Sequence, residues 1–421
     1  MARVRELAVW LHGQHVAWLR SPRIGTITCT YLREVLASHD IGTPLLSCSV
    51  PVRPGTVPAT AFVVGLLPEG QHRAAMAALA GLPTTDVLGL LARFGRDVAG
   101  AVTLAPLAHP GPGPAAPPPD PARVRSARAV VLGPGDLEHE VTRLPENPLG
   151  LHPDSELSLA GLQDKLLLVA TDDGWARPVN GYPSSHILKL DNAVHHGLVR
   201  AEHACLRLAA AAGLAAARSE LTTVAGIECL VVERFDRRRT EGQVTRLHQE
   251  DACQALGVNP EGHQGRAKYQ RDGGPSLRDV ADVLTAWGSA SEESLLDLLD
   301  RVLFTLVIGD ANAHGKNLAL LHVAPGQVHL APLYDTVPTA LWPSLRTEAA
   351  MSVDGRYDLR TITIEDVVRE ARSWGLGAET TRRHLDDVLA RLSAALADGA
   401  SRDDPRVTDL VATRLARLTQ P

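Results

Sequence analysis

Short apolar runs separated by turn residues open the chain. Leu7-Ala8-Val9-Trp10-Leu11, a break at His12-Gly13-Gln14, and His15-Val16-Ala17-Trp18-Leu19 predict a β-hairpin. A helix near 30–39, a strand-like stretch at 44–50, and helices near 70–82 and 87–94 are expected next. After residue 122 the pattern predicts a helix over 136–143 and a loop over 147–153. Two β-prone runs, 166–170 and 175–179, flank Thr171-Asp172-Asp173-Gly174, a strong hairpin signal. A third strand, 186–190, precedes a helix over about 198–212, which Gly213 closes at a position that favours positive φ. A second hairpin is expected around Ala225-Gly226. From residue 251 onward the periodicity is mostly helical, with an apolar helix at 295–308 and amphipathic helices at 364–374 and 380–397. No internal repeat is detected.

Proline, glycine and alanine dominate between residues 105 and 122, where dense proline prevents pairing in a sheet or helix. The stretch reads as a linker and divides the chain into a small α/β N-terminal subdomain, 1–105, a linker, 106–124, and a larger unit. That unit places strands at 125–235 and helices at 236–421, joined at Glu233-Arg234-Phe235. The expected class is α+β, a two-lobed protein-kinase-like fold with a mixed β N-lobe and a mostly helical C-lobe.

The 421 residues suffice for two or three cores, and the net charge of −6 gives no footprint of a nucleic-acid coat. Five cysteines, odd in number and never spaced as CxxC, fit a reducing cytosol without structural zinc. The seventeen histidines include no HExxH, so a dedicated histidine metal site is not expected. Neither a targeting signal nor a membrane span is visible, and a cytoplasmic location is expected.

Candidate chemistry concentrates in a few motifs. His314-Gly315-Lys316-Asn317 follows the long apolar helix, and Leu333-Tyr334-Asp335 follows a short hairpin later. An amide and a carboxylate so placed suit Mg²⁺, which takes few protein ligands and completes its shell with phosphate oxygens. Ser158-Leu159-Ala160-Gly161-Leu162-Gln163-Asp164-Lys165 lies where a flexible loop could cover phosphates; with one glycine it also reads as an ordinary polar turn. Lys189 inside an apolar strand and Glu202 in the following helix suggest the strand-lysine to helix-glutamate pair of kinases. An edge lysine reaching solvent is the alternative. Glu233-Arg234-Phe235 suits a hinge that reads an adenine edge, while Arg237-Arg238-Arg239 reads as a solvated turn. Five residues before Asn317, where kinases carry the aspartate that takes the acceptor proton, stands Asn312, and the nearest acid is Asp310. An amide can orient a hydroxyl but cannot accept its proton, so two readings stand open for the catalytic position: Asp310 rotates in and serves as the base beside Asn312, or the loop is catalytically crippled.

Together these blocks resemble the HipA family of serine/threonine kinase toxins. The match extends through Gly65-Leu66-Leu67-Pro68-Glu69, Phe94-Gly95-Arg96-Asp97-Val98-Ala99-Gly100, His248-Gln249-Glu250-Asp251, Lys268-Tyr269 and Asp272-Gly273-Gly274-Pro275. The resemblance implies ATP and Mg²⁺ contacts by Ala160 to Lys165, Lys189, Glu233 to Phe235, His314 to Asn317, Tyr334 and Asp335; the residue pattern adds Glu202 to the nucleotide site and puts Asn317 and Asp335 on the metal. It implies autophosphorylation at Ser158 that switches the enzyme off. It further implies a translation component, such as an aminoacyl-tRNA synthetase, as protein substrate. A HipB-like helix-turn-helix antitoxin would make the DNA contacts. The family carries aspartate where this chain has Asn312, which leaves three functional classes open: an active kinase toxin, a non-catalytic ATP-binding regulatory module, and a small-molecule phosphotransferase.

Overall fold

The computed structural model describes residues 4–106, 127–147, 149–152, 158, 163–191, 194–240 and 242–420. In the N-terminal unit, strands β1 (Glu6–Leu11), β2 (Gln14–Arg23), β3 (Thr26–Tyr31), β4 (Val57–Pro58) and β5 (Val102–Pro106) form a five-stranded sheet in the order β4-β3-β2-β1-β5. The opening hairpin turns on His12 and Gly13, both at positive φ. Helices α1 (Arg33–Ser38), α2 (Thr60–Gly65), α3 (Gly70–Ala80) and α4 (Val87–Phe94) complete this unit. The helix expected near 30–39 is shorter than its periodicity suggested, because Thr30 and Tyr31 pair with Trp18 and Ala17 in the sheet. The strand expected at 44–50 is irregular backbone with one isolated bridge, Ser47 to Val50.

The second unit begins with β6 (Arg128–Val131) and α5 (Pro134–Arg143). It continues with β7 (Lys165–Thr171), β8 (Gly174–Val179), β9 (His186–Leu190), α6 (Leu198–Ala211), β10 (Ser219–Val224) and β11 (Ile227–Glu233). These strands make a six-stranded sheet ordered β10-β11-β9-β7-β8-β6, in which β9 is central and antiparallel to both neighbours. Val141 and Leu144 of α5 and its end pack with Leu166, Leu168, Leu188 and Cys229 on one face. Leu167 instead joins the core of the N-terminal unit, so alternate residues of one strand serve two cores.

The chain then pairs β12 (Arg237–Thr240) with β13 (Gln243–Arg246). It forms β14 (Gln249–Asp251) and the short helices α7 (Ala252–Ala255) and α8 (Gly262–Gly265). Helices α9 (Leu277–Trp287) and α10 (Ser291–Ile308) precede β15 (Ala319–Ala324) and β16 (Gln327–Leu330), which complete a three-stranded sheet with β14. A ribbon of β17 (Glu348–Val353) and β18 (Arg356–Asp358), then α11 (Ile364–Ser373), α12 (Ala378–Ala397) and α13 (Pro405–Leu418), complete the fold. Phe304, Val307 and Ile308 of α10 are fully buried at the centre of this helical core. The linker expected at 106–124 falls almost wholly outside the described residues.

The two units are fastened by specific bonds. Gln254 Nε2 donates to Phe62 O at 2.8 Å, and Cys48 N donates to Glu250 Oε1 at 2.9 Å. Gly65 permits this contact: a Cβ there would stand 2.6 Å from Gln254 Cγ.

Candidate functional site

Lys189 lies on the central strand β9 and faces α6. Its Nζ donates to Glu202 Oε1 at 2.8 Å and Oε2 at 3.0 Å, and to Asp335 Oδ1 at 3.1 Å. Asn317 Nδ2 donates to Asp335 Oδ2 at 2.9 Å. Residues from a strand, a helix and two loops thus form one continuous chain, Glu202–Lys189–Asp335–Asn317. The edge-lysine alternative is excluded, since Lys189 is buried on an interior strand. Asp335 has φ 53°, a left-handed backbone that aspartate tolerates better than most residues. Lys189 holds its carboxyl well below the usual range, against the opposing effect of burial. Burial likewise opposes the charge on Lys189, but Glu202 and Asp335 outweigh it and keep the ammonium protonated.

The donor set fits a hard divalent cation bound with phosphate. Asn317 Oδ1 is buried and has no hydrogen-bond partner, although Nδ2 of the same amide is engaged. Beside it stands an ionised carboxylate. Two such oxygens meet the demand of Mg²⁺, which keeps several waters and phosphate oxygens. Among the described residues no group of three or more His, Cys, Asp or Glu could hold a metal alone.

Other expected residues gather around this chain. Burial, then the neighbouring Lys189, push the buried Lys165 down to about 8. Lys316 Nζ donates to Asp251 Oδ2 at 3.1 Å, and its carbonyl accepts from the Tyr334 hydroxyl at 2.6 Å. The Tyr334 and Phe235 rings lie 5.1 Å apart and join the Asp335 loop to the segment expected from the sequence to be a hinge. His314 is neutral: burial and then Lys268 push it down to about 3. Gly315 lets the loop pass tightly, since a Cβ would approach Pro275 Cγ to 2.8 Å and Cys253 Sγ to 2.9 Å. Gln163 Nε2 donates to Leu190 O at 2.9 Å, and Asp164 lies 3.4 Å from His72 Nε2. Ala160, Gly161 and Leu162 lie outside the described residues. Ser158 is fully buried; its hydroxyl donates to Leu66 O at 2.8 Å and its N–H to Asp97 O at 2.9 Å.

At the hinge, Glu233 N donates to Arg218 O at 2.9 Å and Arg234 N to Ser185 O at 3.0 Å. The Arg234 guanidinium turns toward the N-terminal unit, bonding Asp236 and Val98 O. Arg237 is a correction to the sequence reading. It is 5% exposed, and its Nη2 donates to Asp97 Oδ1 at 2.9 Å. Only Arg238 and Arg239 of that triplet are solvated. The pairing of Asp97 with Arg237 across 140 residues leaves no local signal in the sequence.

Asp310 is 3% exposed, and its Oδ1 accepts from Asn312 N at 2.7 Å. Burial chiefly, with Asp335 adding repulsion, pushes its carboxyl up to about 8. It braces the loop from inside. Asn312 Oδ1 instead accepts from the Tyr269 hydroxyl at 2.9 Å. Because the folded state holds the Asp310 proton far above an unfolded aspartate, the group's contribution is full below about pH 4. It is lost as pH rises toward 8. Asp310→Asn is therefore expected to stabilise the protein by about 2–4 kcal/mol at pH 8 and by little at pH 4. Denaturant unfolding at the two pH values measures this, and equal effects at both would refute it.

The structure adds residues to which the sequence reading gave no role. Glu69 Oε2 lies 2.7 Å from Lys268 Nζ, and Glu69 Oε1 lies 3.8 Å from Lys316 Nζ. Tyr269 packs edge-on to His314 at 5.2 Å and beneath Arg346 at 4.3 Å.

Comparison with known proteins bears on this geometry. Residues 157–396 match the family described as HipA-like C-terminal domain, and residues 7–105 match HipA N-terminal domain. A Sinorhizobium fredii protein named as a candidate kinase, Y4mE, is 36% identical over 94% of this chain and 91% of its own. The serine/threonine-protein kinase toxin HipA of Shewanella oneidensis is 29% identical over 80% of this chain and 76% of its own. A solved complex of Shewanella oneidensis HipA, HipB and operator DNA contains a chain with TM-score 0.78 and 25% identity. The alignment covers 98% of this chain and 95% of that one.

Proposed function

Because the chain belongs to the HipA family, with its kinase-like α+β fold, we propose that it is a serine/threonine protein kinase toxin using ATP and Mg²⁺. The observation that carries the reading is the continuous chain Glu202–Lys189–Asp335–Asn317 beside the unpartnered Asn317 Oδ1. Lys189, oriented by Glu202, would meet the nucleotide's phosphates. Asn317 and Asp335 would hold Mg²⁺, which neutralises charge on the transferring phosphoryl group. Phe235 and Tyr334 flank the hinge where the base would lie, with Glu233 and Arg234 supplying hinge backbone.

In this reading Ser158 is the autophosphorylation site. Its hydroxyl is sealed against Leu66 O, and a phosphate there would bring about two negative charges into a closed pocket. Ser158 must therefore leave that pocket to be phosphorylated and cannot return afterwards, which keeps the phosphate loop displaced. The expected protein substrate is a translation component of the aminoacyl-tRNA synthetase kind. The proposed partner is a HipB-like helix-turn-helix antitoxin that carries the DNA contacts. The net charge of −6 agrees with binding DNA only through that partner. A cytoplasmic site of action is proposed with that substrate; among the described residues no helix is long and apolar enough to cross a membrane.

Incubation with labelled ATP should label Ser158, with no label in Ser158→Ala or Asp335→Ala. Equal labelling of Asp335→Ala would sink the assignment. Asn312 favours a second reading, a catalytically impaired ATP-binding module, which predicts nucleotide-dependent stabilisation without transfer.

A further inference from the structure

The chain contains four lysines and thirty-eight arginines. Away from the nucleotide site, buried ion pairs use arginine: Arg234 and Arg237 bind Asp236 and Asp97 with side chains 1% exposed. The four lysines are equally withdrawn from solvent, none more than 9% exposed, and none serves the surface. Lys165, Lys189 and Lys316 all belong to the nucleotide site proposed above. The fourth, Lys268, lies beside them. Its carbonyl accepts from Gly315 N at 3.2 Å, and it shares Glu69 with Lys316, at 2.7 Å and 3.8 Å.

An ammonium differs from a guanidinium in ways that matter here. It is a compact charge with three donors that rotate freely, so it can pass between a carboxylate and a non-planar phosphate, whereas a planar fork suits a fixed carboxylate. A lysine beside the nucleotide site is therefore suited to exchange a carboxylate for a phosphate, as an arginine is not. The counter-ion of Lys268 has the matching property. Glu69 comes from the N-terminal unit, at the start of α3, and its Oε1 is buried with no hydrogen-bond partner. Its carboxylate thus holds two lysines while leaving one oxygen unsatisfied.

We propose that Lys268 is a further phosphate-binding residue, directed at the terminal phosphate of the nucleotide, and that Glu69 competes with that phosphate for it. The proposal rests on the nucleotide-site reading. Binding of a triphosphate draws Lys268 away from Glu69, so nucleotide and carboxylate compete for one cation. The N-terminal unit thereby senses whether the cleft is filled.

The competition predicts opposite signs for the two partners of one ion pair. Calorimetric titration of the full chain with MgATP and MgADP tests it. Lys268→Gln should weaken MgATP binding about tenfold or more, as expected for loss of a charge-assisted contact, and change MgADP less than about threefold. Glu69→Gln should tighten MgATP by about threefold or more, although it lowers the melting temperature of the nucleotide-free protein. A purely structural bridge would lower stability in both variants and shift affinity in the same direction or not at all, which overturns the proposal. Should Lys268→Gln fail to fold, Lys268→Arg takes its place, since a planar fork keeps the carboxylate but not the compact charge for phosphate: weaker MgATP binding with MgADP unchanged supports the proposal, and unchanged MgATP binding overturns it. If wild type binds no MgATP, the nucleotide-site reading fails and takes Lys268 with it. If wild type binds and the variants share a sign, only the Lys268 assignment fails.

Discussion

Asn312→Asp should raise the rate of phosphoryl transfer by about 10²–10⁴-fold, the usual contribution of a positioned general base. The structure shows why so small a change can be carried. Asn312 Oδ1 accepts from the Tyr269 hydroxyl at 2.9 Å, and a carboxylate oxygen can accept the same bond. The N–H of residue 312 still donates to Asp310 Oδ1, so the loop keeps its brace. What changes is chemistry: the side chain at this position gains basicity, while Asp310 is buried and its proton is held up to about pH 8. MgATP affinity should move less than a few-fold, because Lys189, Asn317 and Asp335 are untouched. The pH profile of the variant should rise through a carboxylate pKa that wild type lacks. Single-turnover transfer to Ser158 and to a synthetase measures the effect. Equal rates in the two proteins would show that position 312 does not limit transfer. No transfer in either would leave the ATP-binding module as the function.

The elements that could be read from sequence were those with a local cause. Gly213 at φ 77° ends α6 where the glycine indicated, and Ala225-Gly226 turns the β10–β11 hairpin with both residues at positive φ. The strand lysine, helix glutamate, loop asparagine and strand-end aspartate could be picked out singly because each breaks its apolar surroundings. Their assembly into one hydrogen-bonded chain could not, since Lys189 and Asp335 are 146 residues apart. The same limit hid Glu69 and Asp97. Each lies in the N-terminal unit yet meets its partner, Lys268 or Arg237, in the second unit, and a carboxylate in a short polar motif looks like ordinary surface until the units dock. The expected strand at 44–50 failed for a related reason. Its backbone is spent on the second unit, where Cys48 N donates to Glu250 and Leu46 O lies 2.9 Å from His248 Nε2. Arg237 was misread because a run of three arginines looks solvated in any local window, and only long-range burial distinguishes the first from its neighbours.

Asp335→Asn should reduce MgATP affinity by about 100-fold or more while leaving metal-free nucleotide binding nearly unchanged. Asparagine is the informative substitution because residue 335 sits at φ 53°, a conformation it tolerates as aspartate does, so the loop need not move. The amide oxygen can still accept from Lys189 or Asn317, and Lys189 keeps both bonds to Glu202 at 2.8 and 3.0 Å. The one property removed is the negative charge, and that is what a divalent cation requires of a site whose other protein ligand is a neutral amide. Free nucleotide, which does not use the metal, meets a cleft with one fewer anion among four lysines, and the gain in attraction offsets the lost contacts. Titration of MgATP against ATP with a chelator separates the two cases. Parallel losses in both would mean that Asp335 serves the fold of the loop and not the cation, and Asn317 Oδ1 would need another explanation for its missing partner.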